Sequence, residues 1–213
     1  MAEDTPRVRA WRFEPFFVSI VNAIHSNGLA HGKGHIFRTV KNAKTISSKL
    51  EPDGDSKTVD MDILLAASYL HDLGRDVNVG KHFGIALDPA QDHAVRSAIL
   101  AGKFLSTLNG FPPEKIAAVK DAIRAHSFSR GEKPLSMEAK ILSDADKLDA
   151  MGAQGIIRTI AYSTEHGRSL KDSITHLNEK IMVLHEKLHT PSARDIAKPK
   201  QVLLQQFMMD LQW

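Results

Sequence analysis

Apolar residues recur at intervals of three and four along nearly the whole chain, and that period restricts it to helices. Ile36, Val40, Ala43 and Leu50 mark one face of a segment that begins just after Gly32-Lys33-Gly34. Leu177, Ile181, Leu184 and Leu188 step by four, three and four, which lays them along one helical stripe. No strand-like alternation longer than a few residues competes. Start signals agree: Asp88-Pro89 offers an N-cap followed by proline, and Phe111-Pro112-Pro113-Glu114 opens another helix. Gly74, Gly110, Gly152 and Gly167 are placed to stop helices. The pattern predicts helices over about 12–27, 34–50, 60–73, 89–109, 113–126, 136–150, 153–166, 169–189 and 192–211. The segments at about 51–58, 74–88 and 127–135 are expected to be loops. The 213 residues hold no low-complexity linker, internal repeat or charge block. One compact all-α domain over 1–213 is therefore expected, with a core of about 20–160 and added helices over about 161–213.

Composition removes several function classes. Apolar residues make up 42% and charged residues 25%, the mix of a soluble chain that buries a real core. Cysteine is absent, which excludes disulfide scaffolds, thiolate zinc sites and cysteine nucleophiles. The longest short apolar run, Ile63–Ala67, is far from a membrane span. The N-terminal MAEDTPRVRAWRFEP carries acids and has no apolar h-region, so a cytoplasmic protein is expected. Lys and Arg number 28 against 25 Asp and Glu, a formal charge of +3. No basic cluster with interleaved aromatics accompanies that surplus, which argues against a nucleic-acid partner. Histidine, however, occurs 11 times, against only 2 tyrosines. That excess points to metal or proton chemistry.

Two places concentrate it. His71-Asp72 ends the apolar helix that contains Ile63–Leu70, and His71 follows Leu64 by seven and Ala67 by four, which aims it at the core. Asp72 lies about 100° further round, where a terminating helix can direct both groups at one point. In LeuSerAspAlaAspLysLeuAspAla, the spacing of Leu142, Asp146 and Asp149 directs carboxylates along a partly apolar face. A buried carboxylate is expensive without a cation beside it. A divalent ion is the simplest partner for buried His and Asp together.

In these residues the sequence resembles the HD superfamily of metal-dependent phosphohydrolases. The motif runs through His35 in GlyHisIlePheArg, His71-Asp72 in HisAspLeuGlyArgAsp and Asp146 in AspAlaAspLysLeuAsp. It is most similar to small stand-alone members in which the last motif continues as Leu-Asp-Ala-x-Gly-Ala, here LeuAspAlaMetGlyAlaGln. The resemblance covers about residues 20–160 and implies an all-α HD-domain bundle with additional C-terminal helices. It implies a metal held by His35, His71, Asp72 and Asp146. Such a set suits Mn²⁺ or Fe²⁺ with two positions left for water and substrate, with Co²⁺, Ni²⁺ or Mg²⁺ as alternatives; tetrahedral Zn²⁺ would be saturated. The ion would polarise a phosphoryl group and lower the pKa of water from 15.7 toward roughly 7.

The implied substrate is a small phosphoester or nucleotide, cleaved at a phosphomonoester or pyrophosphate linkage. A two-metal cyclic-nucleotide phosphodiesterase and a non-catalytic ligand-binding HD module are the competing readings. His93 and His126 are expected to hold a second metal or the substrate phosphate, facing the same cavity as Asp72. Asp76 is a candidate general acid or base, and Arg75 and Lys147 are candidates for holding phosphate. Asp144 and Asp149 are read as partners of caps or Arg/Lys. His25, His31, His82, His166, His176, His185 and His189 lack motif context and are read mainly as surface residues. Gly80-Lys81-His82-Phe83-Gly84 is expected to border the substrate. Trp11 and Trp213 are offered to neighbouring helices or to a second subunit, so a homo-oligomer is among the expected states.

Overall fold

Leu64–Leu70 are seven consecutive buried residues, and the rest of the fold is arranged around them. They belong to α3 (Met61–Leu70) in a computed structural model that describes residues 11–50, 59–127 and 131–211. A helix apolar on all sides has no solvent face and belongs in the middle. α1 (Glu14–Ile24), α4 (His93–Thr107) and α5 (Pro113–His126) pack on one side of it. Phe17, Val21, Leu100, Leu105, Val119 and Ile123 fill that cluster. α2 (Lys33–Ser48) and α6 (Met137–Asp149) close the other side, and α2 divides its apolar residues between two clusters. The second cluster continues outward into α7 (Gly152–Glu165), the turns that follow α8 (Leu170–His176), and α9 (Pro191–Asp210). No strand occurs among the described residues, and none of their helices is long and apolar enough to cross a membrane.

Local chemistry fixes where α3 starts and how the chain leaves it. Asp60 caps its first turn, accepting from the amides of Asp62 at 3.0 Å and Ile63 at 3.3 Å. Lys115 on α5 pairs with both Asp60 and Asp62 at 2.8 Å. Replacing Asp60 with Ala should cost about 1 kcal/mol and lower Tm by about 2–4 °C, read by calorimetry. Partial burial opposes the charge of Asp60, but Lys115 outweighs it and its pKa is lowered. That contribution is present above the ordinary carboxylate range and fades as pH falls through the lowered value.

The chain leaves α3 at His71-Asp72 and turns tightly at Gly74. A Cβ there would stand 2.4 Å from the amide nitrogen of Ser97. Contact with α4 is that close because the Gly74 amide donates to Ser97 Oγ at 2.9 Å and Arg96 Nε donates to the Gly74 carbonyl at 2.7 Å. This clamp fixes the turn just beyond Asp72. At the end of α6, Gly152 takes φ of 65°, a left-handed conformation that glycine adopts without strain, and the chain reverses into α7.

Three details differ from the periodicity. α4 begins at His93 with Asp92 as its cap, whereas Asp88 caps a separate turn at Ala90. The segment 74–88 contains a 3-10 turn, Val77–Phe83. The single helix expected over about 169–189 divides into α8, a wide π-type turn at Leu177–Ile181 and a 3-10 turn at Leu184–Lys187. Leu177, Ile181, Leu184 and Leu188 are nevertheless all buried against the second cluster. Burial of the stripe holds, and helical continuity gives way. Trp11 packs partly buried on the first cluster, and Trp213 lies outside the described residues.

Candidate metal centre

Three helices present their carboxyl ends to one point. His71-Asp72 follow the last turn of α3, His126 ends α5, and Asp146 and Asp149 lie in the last turn of α6. Carboxyl ends carry partial negative charge and favour a cation. His35, from the first turn of α2, reaches the same point. Its Nε2 stands 3.2 Å from His71 Nε2, 3.5 Å from Asp72 Oδ2 and 3.4 Å from Asp146 Oδ1. His71 Nε2 is 3.7 Å from Asp72 Oδ2. His35, His71 and Asp72 are wholly buried, whereas Asp146 keeps 27% of its side chain exposed, the one member open to entering ligands.

The outer nitrogens determine what the inner ones offer. His71 Nδ1 donates to the Ser68 carbonyl at 2.8 Å, and His126 Nδ1 to the Ile123 carbonyl at 2.5 Å. A carbonyl only accepts, so both protons sit on Nδ1 and both Nε2 atoms present lone pairs. His35 Nδ1 likewise donates to Asp149 Oδ2 at 2.8 Å. Two Nε2 lone pairs 3.2 Å apart repel unless a cation or a proton lies between them. Asp72 Oδ1, buried without a hydrogen-bond partner, makes the same demand on the other side of the carboxylate. The electrostatics are consistent with this. Burial lowers the pKa of His71. Burial also opposes charge on His35, but Asp149 and Asp72 outweigh it and raise its pKa. Asp72 and Asp146 are held ionised by the surrounding cationic and imidazole groups against the opposing effect of burial. This donor set fits a divalent ion.

Asp149 is the hub behind it. Besides His35, it accepts from Arg38 Nε at 2.6 Å and from Arg158 at 2.7 Å. A carboxylate behind a ligating imidazole fixes ring orientation and raises basicity. Asp149→Asn should therefore weaken divalent-ion affinity by about 10–100-fold, read by titration of the ion into stripped protein. The reading of Asp144 as a capping group also matches its surroundings: it accepts from the amides of His189 and Thr190, each at 2.8 Å, at the start of α9.

His93 and His126 flank the other oxygen of Asp72, with Nε2 atoms 3.5 Å and 3.8 Å from Oδ1. Both face Asp72, but of the two only His93 lines the cavity described below. His126 is itself buried, at 2% exposure. Burial holds its pKa at about 4, and its only proton is committed to Ile123. At neutral pH His126 offers a lone pair.

A cavity of about 400 Å³ opens onto this cluster. Asp146, His93, Arg75 and Lys147 line its inner part, and Arg75 Nε is 2.5 Å from Asp72 Oδ2. Asp76 is not brought in: it is exposed and its carboxylate caps the 3-10 turn through the Asn78 amide at 2.8 Å. Gly80–Gly84 is also absent from the lining, because Val79 and Gly80 turn into the protein and Lys81 and His82 face solvent. The outer wall comes instead from α7, α8 and the π turn, through Arg158, Thr159, Tyr162, Arg168, His176 and Lys180. Of the seven histidines read mainly as surface residues, only His82 and His166 are exposed; the other five are partly buried, and His31 and His176 line the cavity. No local spacing marks these groups, which come from segments joined only by the tertiary fold.

A family model, HD domain, matches residues 33–151. The chain belongs to the HD-domain family. YpgQ of Bacillus subtilis is 27% identical over 187 residues, 84% of this chain and 83% of its own. The crystal structure of YpgQ in complex with ADP aligns with a TM-score of 0.68 at 25% identity, covering 92% of this chain and 95% of that one. The Lin1889 protein of Listeria innocua aligns at 0.65 with 28% identity, covering 95% and 97%. An HD-superfamily hydrolase from Bacillus thuringiensis has the same fold, with a TM-score of 0.63 at 24% identity over 93% and 95%. The chain thus has the fold of HD-superfamily hydrolases and carries His and Asp groups able to hold a metal.

Proposed function

We propose that this HD-domain protein is a divalent-metal-dependent phosphohydrolase acting on nucleotides. The observation that carries the reading is the charge of the cavity. Arg75, Lys147, Arg158, Arg168 and Lys180 line it, against one carboxylate, Asp146, among the described lining residues. Such a wall suits a ligand bearing several negative charges. The complex of YpgQ with ADP adds support from a relative whose structure aligns over 92% of this chain. His35, His71, Asp72 and Asp146 would hold the ion, Mn²⁺ or Fe²⁺ before Co²⁺, Ni²⁺ or Mg²⁺. When bound, it supplies Lewis acidity and an acidified water at the scissile phosphorus. Arg75 and Lys147, which line the cavity with Asp146, would neutralise phosphoryl oxygens. Lys147, tied to Ser143 and buried, holds its ammonium at the wall with little freedom to move.

A second ion on Asp72 Oδ1, with His93 and His126, is the alternative favoured by that buried unpartnered oxygen and by the two Nε2 atoms beside it. The test is a panel of nucleoside mono-, di- and triphosphates, a cyclic nucleotide and simple phosphoesters, each with Mn²⁺ at fixed salt. Turnover of nucleotides is the expected result. Tight binding of ADP with no turnover of any member would replace the enzyme by a ligand-binding module.

A further inference from the structure

His31 is the one histidine at the centre whose hydrogen-bonding is reversed. Arg158 NH2 lies 3.2 Å from His31 Nδ1, and a guanidinium can only donate. His31 Nδ1 is therefore the acceptor, and in the neutral ring the proton sits on Nε2. His71 and His126 hold the opposite tautomer through backbone carbonyls. Arg158 has little room to relax this arrangement. Its Nε donates to the Ala30 carbonyl at 2.7 Å, one residue before His31, and its NH1 donates to Asp149 at 2.7 Å. One guanidinium thus fixes both the backbone before His31 and the ring itself.

The ring lines the cavity, edge-on to His35 with centroids 5.9 Å apart. One of its nitrogens lies within 4.8 Å of ligand atoms of His35 and Asp72, a spacing that would also admit a metal ligand. The tautomer argues against ligation by either nitrogen: Nδ1 is taken up by Arg158 and Nε2 carries the ring proton, so neither has a free lone pair for an ion. Among the described residues no acceptor is paired with Nε2.

We infer that His31 donates a hydrogen bond, through Nε2–H, to a phosphoryl oxygen of the substrate in the cavity, and that Arg158 is the positioning residue that selects this tautomer. The role rests on the phosphohydrolase reading; the tautomer does not. His31→Phe keeps a ring without a donor, and His31→Gln returns an N–H near the place of Nε2. Both are compared with the wild type for Mn²⁺ affinity, ADP affinity and turnover. Mn²⁺ affinity should stay within about twofold in both, and turnover should fall about 100-fold in His31→Phe and recover about tenfold in His31→Gln. ADP affinity should weaken in His31→Phe in step with the lost contact.

Loss of Mn²⁺ from His31→Phe would make His31 a ligand and overturn the inference, as would wild-type turnover in that variant. Long-range ¹H–¹⁵N spectra of the Zn²⁺-loaded protein supply a readout independent of activity. Nε2–H at His31, with Nδ1–H at His71 and His126, is the expected pattern. Nδ1–H at His31 overturns the inference outright. Wild-type protein that turns over no phosphoester would instead fault the functional reading, and the spectrum would still decide the tautomer.

Discussion

Protein carrying His71→Ala is expected to lose its divalent ion and to fall in turnover by about 10³-fold or more. His71 is wholly buried, and its Nε2 faces His35, Asp72 and Asp146. Removing it takes one of two imidazoles from the donor set and leaves Asp72 ionised and buried with less to compensate it. Asp146→Ala should match this in ion content while disturbing the fold less, because Asp146 is the partly exposed member. Elemental analysis of protein purified without chelator reads the ion directly. Circular dichroism separates ion loss from unfolding. Unchanged ion content in both variants would remove these residues from the site.

The second large effect is a crossover with pH in protein stripped of its ion. The raised pKa of His35 means that a proton fills the gap between the Nε2 atoms and the carboxylates when no ion does. A group with a raised folded pKa contributes stability that is fully present below its unfolded pKa, about 6.5. That stability is lost as pH rises through the raised value. Stripped protein should therefore become less stable as pH rises above about 6.5. Mn²⁺ must displace that proton, so it binds more tightly as pH rises. At 100 times its dissociation constant it adds about 2.7 kcal/mol, about 5–11 °C in Tm for a chain of this size. The gap in Tm between loaded and stripped protein should accordingly widen between pH 6 and 8. A gap that narrows over that range would mean that no imidazole proton competes with the ion. Exhaustive chelation should abolish hydrolysis, and Mn²⁺ should restore it better than Zn²⁺ does.

Much of the centre is legible in the sequence because its members announce themselves locally. His71 and Asp72 are neighbours at the end of an apolar helix, and Asp146 and Asp149 lie three apart in one turn. The apolar run of α3 also fits its central place, since Leu64–Leu70 are all buried. Asp149 reads as a partner of basic groups, and it is one, but that its other oxygen contact is His35 depends on packing α6 against α2, 114 positions away. Arg158 reaches Ala30 across 128 positions, and nothing in either segment hints at it.

His31 precedes α2, outside any periodic stretch, so a reading by helical faces passes over it. The outer wall of the cavity is the least accessible part. Its His176 and Lys180 come from a place where the helical period breaks into a π turn, and such breaks are common at functional sites shaped by tertiary contacts. Asp76, a candidate general acid or base four positions after Asp72, instead caps the turn beyond α3, which ends at Leu70.

Anomalous scattering at the manganese edge, from crystals grown with Mn²⁺ and ADP, tests the central claim most directly. A peak about 2.0–2.3 Å from His35 Nε2, His71 Nε2, Asp72 Oδ2 and Asp146 Oδ1 is predicted, with ADP phosphate oxygens on the open side of Asp146. Manganese bound elsewhere, with those four side chains unoccupied, would contradict it.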